Sequence, residues 1–535
     1  MDRRRRARRD RCRNIDLING LLGTPQIHES NLGALSVAFL SDGRTAVTTG
    51  PDKKVTFWHA STGKAIRSWG GHLNVSLSPD GKTLASKGDH RDKTIRLFDL
   101  AAEKEVGQIP ASNRATFRFS PDSRYLAVGG GQLIPRTSDV PLRLWAVPAC
   151  KQVQQFPMTS DIQSLAFSAD GRKLAAAHHN SNFPLIQLWD LASGKELHHF
   201  EEESTRFSLT SIAISPDGKM LAGVGNCIRL WDLHTGKLRW RIIVGGYPKN
   251  GCLGVDWVYS VAFSPDGKTI AVGASLGEIA AGNGIGSSVF LFETATGRQR
   301  ARFDGGGSHV HSVAFSPCGL MLASIGRDCV ALVWDVTGQI QASKRTPARL
   351  DAEPLGARWE DLGKGDAFKE GVVDMRKADA AEAWQAIHAL VVRPAQTVSY
   401  FEKRLRPNVK MEPKRLDELF KDFDGDNFNV REKATKELVD IGPAAEPSLR
   451  KLSAGNPSDK VKACIEDLLD PAKGRIWVEE RRHSRAIEVL EYIGTPEAKK
   501  LLEPLAQGEP GSQRTQDARA TLERLAKRPA PSRPE

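Results

Sequence analysis

One short phrase recurs over the first 345 residues and constrains the fold more than any other feature. It occurs seven times, and its first serines lie 37, 42, 48, 47, 49 and 52 residues apart. A second phrase, typified by LWDL followed by SGK or TGK, alternates strictly with the first. Such a period predicts repeated supersecondary units that stack against one another. The copies of the first phrase are SDGR at 41–44, SPDGK at 78–82, SPDSR at 120–124, SADGR at 168–172, SPDGK at 215–219, SPDGK at 264–268 and SPCGL at 316–320.

The chemistry of the first phrase predicts a tight turn between two strands. Segments such as SVAF before the turn alternate small and bulky residues with a period of two, which indicates a strand. In the copy at 264–268, Pro265 presets φ, Asp266 bonds to nearby backbone, and Gly267 accepts a positive φ. The second phrase adds a third strand and a further turn. We therefore expect each unit to be a four-stranded antiparallel meander, and the units to pack radially.

These phrases resemble the WD40-repeat family of β-propellers. Three copies of the second phrase end in an unmodified LWD or VWD, whose aspartates are Asp190, Asp232 and Asp335. Other copies depart from the pattern, since Phe98 and Phe292 stand where the family has Trp. The resemblance implies a seven-bladed, all-β propeller over residues 21–345. It also implies a structural hydrogen-bonded tetrad in the seventh blade, formed by His309, Ser324, Asp328 and Trp334.

The propeller needs a strand that joins its first and last blades, because an open sheet edge would otherwise remain. The segment LGTPQIHES at 22–30 resembles the N-terminal closing strand of the family. We expect it to pair with the third strand of blade seven, near 330–336. The alternative is that QIQASKR at 339–345 forms this outer strand.

The chain changes character after the propeller. Residues 346–376 lack the repeat and are expected to form a linker, whereas 377–527 show helical periodicity, as in Val430, Ala434 and Leu438. The stretch from Val430 to Leu452 resembles HEAT-like helical repeats, so we expect an all-α helical-repeat domain. The whole arrangement is similar to multidomain bacterial WD40 proteins. Residues 1–20 and 528–535 are expected to be disordered tails.

Positive charge is concentrated at the N-terminus. The chain has 76 Lys and Arg against 64 Asp and Glu, a net charge of +12. Residues 1–13 contain eight Arg and two Asp, and so carry +6 of it. Any association with nucleic acid would depend on this tail. No run of 18 apolar residues exists, so no membrane span is expected. The arginines concerned are Arg3, Arg4, Arg5, Arg6, Arg8 and Arg9.

Short strings that resemble catalytic motifs lack the context that catalysis needs. Gly273-Ala-Ser275-Leu-Gly277 matches the nucleophile-elbow pattern, but it lies in a propeller loop with no helix after it. His178 and His179 are adjacent in an expected strand and therefore point to opposite faces. Seven scattered cysteines form no CxxC pair. We expect no catalytic residue, no metal site and no cofactor.

Long insertions fall on one side of the predicted propeller. The SPDGK and TGK turns share one face, whereas the long connections of blades three to six, within 129–287, lie on the other. We call the second face the loop face, and insertions confined to one face favour a binding surface. The candidate binding residues there are Arg136, Tyr247, Lys249, Trp257 and Tyr259.

Three functions are compatible with these patterns. The first is a non-enzymatic protein–protein interaction scaffold that uses the loop face and a helical-repeat surface. The second is a small-ligand sensor or enzyme that uses the propeller channel, although inner-strand residues such as Ser164 and Ala166 are apolar or small. The third is a nucleic-acid-associated protein that binds through the arginine tail. We expect a monomer in the cytoplasm, with protein partners.

Overall fold

The structure is a computed structural model in which Cα packing divides the chain into two compact units. The first comprises residues 1–297, 301–336 and 370–376, and the second comprises 298–300, 337–369 and 377–535. The described residues are 15–16, 36–50, 53–70, 74–88, 92–112, 115–130, 142–158, 161–179, 184–201, 209–243, 257–276, 286–305, 309–326, 331–336, 355–364, 371–372, 379–407, 413–424, 427–455, 459–469, 475–510 and 512–527.

The first unit contains seven separate sheets. Consecutive strands of the chain pair in order within each sheet, as the alternating phrases predict, and two of the sheets gain one further strand from elsewhere in the chain. The first strand of the chain is β1 (Ile15–Asp16). Blades one to three are β2 (Ser36–Phe39), β3 (Thr45–Thr49), β4 (Lys54–His59) and β5 (Ala65–Gly70); β6 (Asn74–Leu77), β7 (Thr83–Lys87), β8 (Thr94–Asp99) and β9 (Lys104–Pro110); and β10 (Thr116–Phe119), β11 (Tyr125–Gly129), β12 (Leu142–Ala146) and β13 (Lys151–Phe156).

The remaining four blades repeat the same order. They are β14 (Ile162–Phe167), β15 (Lys173–His179), β16 (Pro184–Asp190) and β17 (Glu196–Glu201); β18 (Leu209–Ile214), β19 (Met220–Gly225), β20 (Cys227–Asp232) and β21 (Leu238–Ile243); β22 (Trp257–Phe263), β23 (Thr269–Leu276), β24 (Gly286–Glu293) and β25 (Gln299–Gly305); and β26 (Val310–Phe315), β27 (Met321–Gly326) and β28 (Ala331–Asp335), completed by β1.

The first strands of the blades form a closed ring. Each contacts the first strands of both neighbours, and β2 contacts β26 as well as β6. Buried side chains of adjacent blades pack together, as where Ala175 and Ala177 meet Ile212 and Leu221. The prediction of a seven-bladed β-propeller is confirmed, and its first strands surround a central channel.

The closing strand has the predicted partner but a different position in the chain. Strand β1 pairs antiparallel with β28, and Ile15 lies opposite Val333. Both segments considered from the sequence, 22–30 and 339–345, lie outside the described residues. The expectation of a disordered tail over 1–20 is corrected at Ile15–Asp16, because a two-residue strand is too short to give a periodic sequence signal.

The SPDGK turns owe their geometry to a serine, an aspartate and a glycine. In the second blade, Ser78 Oγ donates to Asp80 Oδ1 at 2.6 Å, and the backbone N–H of Lys82 donates to the same oxygen at 3.0 Å. Gly81 adopts a φ of 70°, in the region that glycine reaches without strain. Partial burial acts to raise the pKa of Asp80, but these hydrogen bonds hold that pKa below its ordinary value. The predicted tight turn is confirmed.

The fourth strand of each of the first five blades contains a β-bulge at one repeated position. In blade one, Phe57 pairs with Arg67 and Trp58 pairs with Ala65, which leaves Ile66 as the extra residue. Its side chain is 55% exposed. Bulges interrupt the flat outer edge that would otherwise accept another chain. The bulged residues are Ile66, Val106, Val153, Leu197 and Arg239.

Blade five differs in having a fifth strand at its outer edge. Strand β29 (Gly371–Val372) pairs parallel with β21, and Gly371 lies opposite Trp240. These residues fall in the segment 346–376 that we expected to be a linker. That segment also contains a helix, so part of it has regular structure.

The second unit contains ten α-helices among its described residues. They are α1 (Leu355–Leu362), α2 (Asp379–Val391), α3 (Pro394–Glu402), α4 (Pro413–Asp424), α5 (Phe428–Ile441), α6 (Glu446–Ala454), α7 (Asp459–Leu469), α8 (Arg475–Ile493), α9 (Pro496–Ala506) and α10 (Gln513–Lys527), with a 3₁₀ turn at Gly442–Ala445. The prediction of an all-α region after the propeller is confirmed.

Glycine and proline mark a helix boundary in the second unit. Gly494 ends α8 with a φ of 62°, and Pro496 occupies the first turn of α9. Thr495 caps α9, since its hydroxyl accepts a hydrogen bond from the N–H of Ala498 at 3.3 Å.

Helix α8 occupies the centre of the second unit. Sequence neighbours pack in pairs, namely α1 with α2, α4 with α5, and α9 with α10. Helix α8, however, contacts α1, α2, α3, α5, α7, α9 and α10. A linear solenoid would restrict each repeat to its neighbours, so this unit is organised around one helix rather than along an axis.

Candidate functional site

Trp257 and Tyr259 lie at the beginning of β22, the innermost strand of blade six. The SPDGK turn follows the other end of this strand, so the two aromatic residues are at the loop-face end. Trp257 pairs with Ser275 in β23, and both aromatic side chains are partly exposed. Of the five predicted binding residues, these two are described. Arg136, Tyr247 and Lys249 lie outside the described residues, so their position stays a prediction.

Tyr259 belongs to an aromatic cluster that spans two blades. Its ring centroid lies 4.8 Å from that of His311 and 5.6 Å from that of His309, both of which are in or next to β26 of blade seven. Both histidines are partly buried, and His309 has a φ of 29°. We call Tyr259, His309 and His311 the loop-face aromatic cluster, and Trp257 lies two residues before Tyr259 on the same strand. His309 is also a member of the predicted structural tetrad, whereas His311 was not among the residues selected from the sequence.

The predicted tetrad is observed in part. The indole N–H of Trp334 donates to Ser324 Oγ at 2.9 Å, and both side chains are buried. His309 also contacts Tyr259 in the aromatic cluster. Asp328 lies outside the described residues, so the contribution of His309 and Asp328 to the tetrad stays a prediction. The Trp–Ser hydrogen bond joins β27 to β28 within one blade, which is a structural role.

Blade one contains an equivalent bond that the sequence analysis missed. The indole N–H of Trp58 donates to Thr48 Oγ1 at 2.8 Å. Thr48 precedes Trp58 by ten residues, the same separation as between Ser324 and Trp334. A search for a hydroxyl ten residues before each tryptophan would have found it.

Hydroxyl groups of the innermost strands connect several neighbouring blades. Ser164 Oγ accepts from the N–H of Ile212 at 3.1 Å, and Ser260 Oγ accepts from the N–H of Val313 at the same distance. These serines, which the sequence marks only as small residues of the innermost strands, therefore hold neighbouring blades together.

The motif-like strings fold as ordinary parts of blades. Ser275 is 1% exposed and lies within β23, so the expectation that it occupies a loop is wrong. A buried strand cannot present a nucleophile to solvent. His178 is fully buried, and its Nε2 lies 3.0 Å from Gln187 Oε1. Among the described residues, His, Cys, Asp and Glu form no group of three that could hold a metal ion. No helix in the described part of the chain is both long enough and apolar enough to cross a membrane.

Comparison with known proteins agrees with the repeat architecture. The family model described as "WD domain, G-beta repeat" matches residues 63–99, 194–232, 251–279 and 297–335. The chain thus carries WD40 repeats, and they build its seven-bladed propeller. Propellers of this kind generally serve as protein-interaction scaffolds and are mainly non-enzymatic.

Curated relatives match the repeat region at low identity. The pre-mRNA-processing factor 19 homolog 2 of Arabidopsis thaliana is 24% identical over 257 residues, which are 45% of this chain and 44% of that protein. The target of rapamycin complex subunit LST8 of Rattus norvegicus is 25% identical over 211 residues, covering 37% and 59% respectively. The chain therefore spans about half the length of these relatives. The expected bacterial origin stays a prediction.

A solved structure also has a similar shape over part of the chain. The hydrazine synthase of Kuenenia stuttgartiensis aligns with a TM-score of 0.48 at 17% identity, covering 59% of this chain and 99% of that one. Similarity at this level does not support any conclusion about activity.

Proposed function

We propose that this protein is a non-enzymatic interaction scaffold that binds a protein partner through the loop face of its propeller. The observation that carries the proposal is the loop-face aromatic cluster. Tyr and Trp are favoured at protein interfaces because they bury a large area and also offer a polar group. A partly exposed cluster that joins two blades provides a rigid platform of this type.

The opposite face has less capacity for a partner. Its turns use their polar groups internally, as when Ser168 Oγ donates to Asp170 Oδ1 at 2.5 Å and the N–H of Arg172 donates to the same oxygen at 3.0 Å. Burial acts to raise the pKa of Asp170, yet these bonds hold it below its ordinary value, so the carboxylate is already stabilised. A partner at this face would have to compete with these bonds.

The test compares two triple variants of the full chain. The first replaces Tyr247, Trp257 and Lys249 with Ala on the loop face. The control replaces Lys82, Arg172 and Lys219 with Ala, all exposed residues of the tight-turn face. Affinity capture with chemical crosslinking in the native cell should recover a partner with the wild type and the control. The loop-face variant should lose it.

Equal recovery by both variants would contradict the assignment of the loop face. Melting temperatures of the two variants serve as a check on folding. The helical surface as a second binding site, the monomeric state and the cytoplasmic location remain predictions.

A further inference from the structure

The innermost strand of blade three carries a charged residue where the innermost strands of the other six blades carry a small one. On the first strand of each blade, one position pairs with the middle of the second strand, as Arg118 pairs with Ala127 and Ala166 pairs with Ala175. Six blades carry Ala or Ser at this position, whereas blade three carries Arg. The equivalent residues are Ala38, Ser76, Arg118, Ala166, Ala213, Ala262 and Ala314.

Neighbouring residues define where the Arg118 side chain goes. Phe117 and Phe119, on either side of it, are buried at 7% and 4% exposure in the hydrophobic core. Side chains alternate along a strand, so Arg118 points to the face opposite the two phenylalanines. Thr116 lies on the same face as Arg118, and its hydroxyl donates to the carbonyl of Ile162 on the next innermost strand at 3.2 Å. Arg118 thus extends along the ring of innermost strands.

Arg118 is an exposed residue, and yet protein atoms surround its side chain closely. The residue is exposed, whereas burial by the atoms around it lowers the pKa of Arg118. A side chain within a water-filled channel combines these two properties, since protein surrounds it while water still reaches it. The pKa of a guanidinium is high enough to keep Arg118 positively charged at neutral pH.

No acidic side chain on the innermost strands balances this charge. The seven innermost strands, all within the described residues, contain no Asp or Glu. Among the described residues, Arg118 has neither an ion-pair partner nor a side-chain hydrogen bond. An enclosed charge without a partner is destabilising, and protein walls of low dielectric strengthen its attraction for an anion.

The innermost strands of other blades offer further hydrogen-bond donors. Ser164, Ser260 and Ser312 each accept a backbone N–H of the next blade. A hydroxyl that accepts one bond still has a proton to donate. The channel therefore combines one fixed positive charge with neutral donors, which is the chemistry that recognises an oxyanion.

We propose that the central channel contains a binding site for a small oxyanion, a phosphate or a carboxylate group, with Arg118 as its principal ligand. The guanidinium presents two parallel N–H groups that match such oxygens. This site is independent of the loop face and of the protein partner proposed above.

The first experiment measures binding of inorganic phosphate and of acetate to the full chain by titration calorimetry at constant ionic strength. Two arms distinguish the sources of the anion, because a phosphate site and a carboxylate site will prefer different probes. Arg118→Ala should weaken binding of the preferred probe at least tenfold. Arg118→Lys should weaken it less, because the positive charge remains although the two parallel N–H donors of the guanidinium are lost. Arg172→Ala, which removes an equal charge from an exposed turn, should bind like the wild type.

A second measurement checks the folded state without a ligand. Ala occupies the same position in five other blades, so Arg118→Ala should fold, and its melting temperature without anion should equal or exceed that of the wild type. A lower melting temperature would show that Arg118 has a structural partner. Unchanged affinity in Arg118→Ala, or no binding of either probe by the wild type at 10 mM (about 2.7 kcal/mol by the relation between Kd and free energy), would overturn the proposal.

Discussion

The propeller and the helical unit satisfy their buried polar groups in opposite ways. In the propeller, neutral hydroxyl and indole groups bond within one blade, as Trp334 does with Ser324 ten residues away, or to the adjacent blade, as Ser164 does with Ile212. In the helical unit, charged groups bond over long distances. Glu491, which is 4% exposed, accepts two bonds from Arg524, 33 residues later.

This difference follows from how each region is built. Each blade is built mainly from one repeat, so its polar partners lie in the same blade or in the adjacent one, and they recur. Helix α8 is surrounded by helices from both sides of it in the chain, so its charged residues can be paired only once the unit is assembled. Arg485 illustrates this, since it donates to the carbonyls of Leu362 and Lys364, more than 120 residues earlier.

The largest expected effect is at the buried ion pair of Glu491. Glu491→Ala leaves the guanidinium of Arg524 without its carboxylate and Thr521 without its acceptor, and should cost about 3–5 kcal/mol of unfolding free energy. Urea denaturation of the full chain, followed by helical circular dichroism, measures it. Glu491→Gln keeps the volume and should lose less, so it remains informative if the alanine variant does not fold.

The exposed pair of Arg415 and Glu418 provides the matched control. Both side chains are more than 40% exposed, and Arg415 Nη1 lies 3.0 Å from Glu418 Oε2. Glu418→Ala should cost at most about 0.5 kcal/mol. Equal losses at Glu491 and Glu418 would contradict the contrast between the buried and the exposed pair.

The second-largest expected effect is on how the unfolding free energy of the helical unit depends on pH. Burial, together with repulsion from Arg514, lowers the pKa of His483 from 6.5 to about 3, and its Nδ1 lies 2.7 Å from the carbonyl of Glu479. The unfolded chain therefore binds a proton below pH 6.5 that the folded chain rejects until about pH 3. Stability should rise with pH in this window and fall on acidification, by about 1.4 kcal/mol per pH unit.

His483→Gln removes this titration while it retains a donor for the carbonyl of Glu479. Between pH 7 and pH 5 the wild type should lose about 2 kcal/mol more than the variant. Denaturation curves at both pH values measure the difference. An identical loss in the two proteins would show that His483 is not held neutral by burial.

The smallest expected effect is in a turn of the propeller. Blade seven has Cys318 where five other blades have the aspartate that bonds to the preceding serine, and Ser316 Oγ lies 3.3 Å from Cys318 Sγ. Gly319 already has a φ of 75°, so the turn geometry is present. Cys318→Asp should add an acceptor for the N–H of Leu320 and stabilise the propeller by about 0.5–1.5 kcal/mol. Thermal unfolding measures the gain.

Cys318→Ala is the control, and it should leave the melting temperature nearly unchanged. A loss of stability in Cys318→Asp would mean that the turn of blade seven depends on its thiol rather than on the shared geometry of the repeat.

Much of the propeller could be predicted because its signals are local. The alternation before each turn, the aspartate that bonds to its own turn and the glycine at positive φ all act within a few residues. The resemblance to the WD40-repeat family implied the Trp334–Ser324 pair. The Trp58–Thr48 pair in blade one was not predicted.

The candidate site could be predicted less completely. Trp257 and Tyr259 were selected from the loop face, but the contact of Tyr259 with His311 depends on two blades that meet only in the closed ring. Helix α8 was also harder to predict, since the run from Glu479 to Arg485 is typical of a solvent-exposed helix. It is buried because carboxylates and carbonyls from distant helices satisfy its charges.

The sequence by itself determined the number of blades, their turns and the change to helices, because each depends on short-range physics that repeats. Only the tertiary structure decided that Ile15–Asp16 completes blade seven, that α8 lies at the centre of its unit, and that Arg118 is the one charged position in its ring of seven. Each of these depends on which distant segments become neighbours, and that is fixed by the packing of the whole unit.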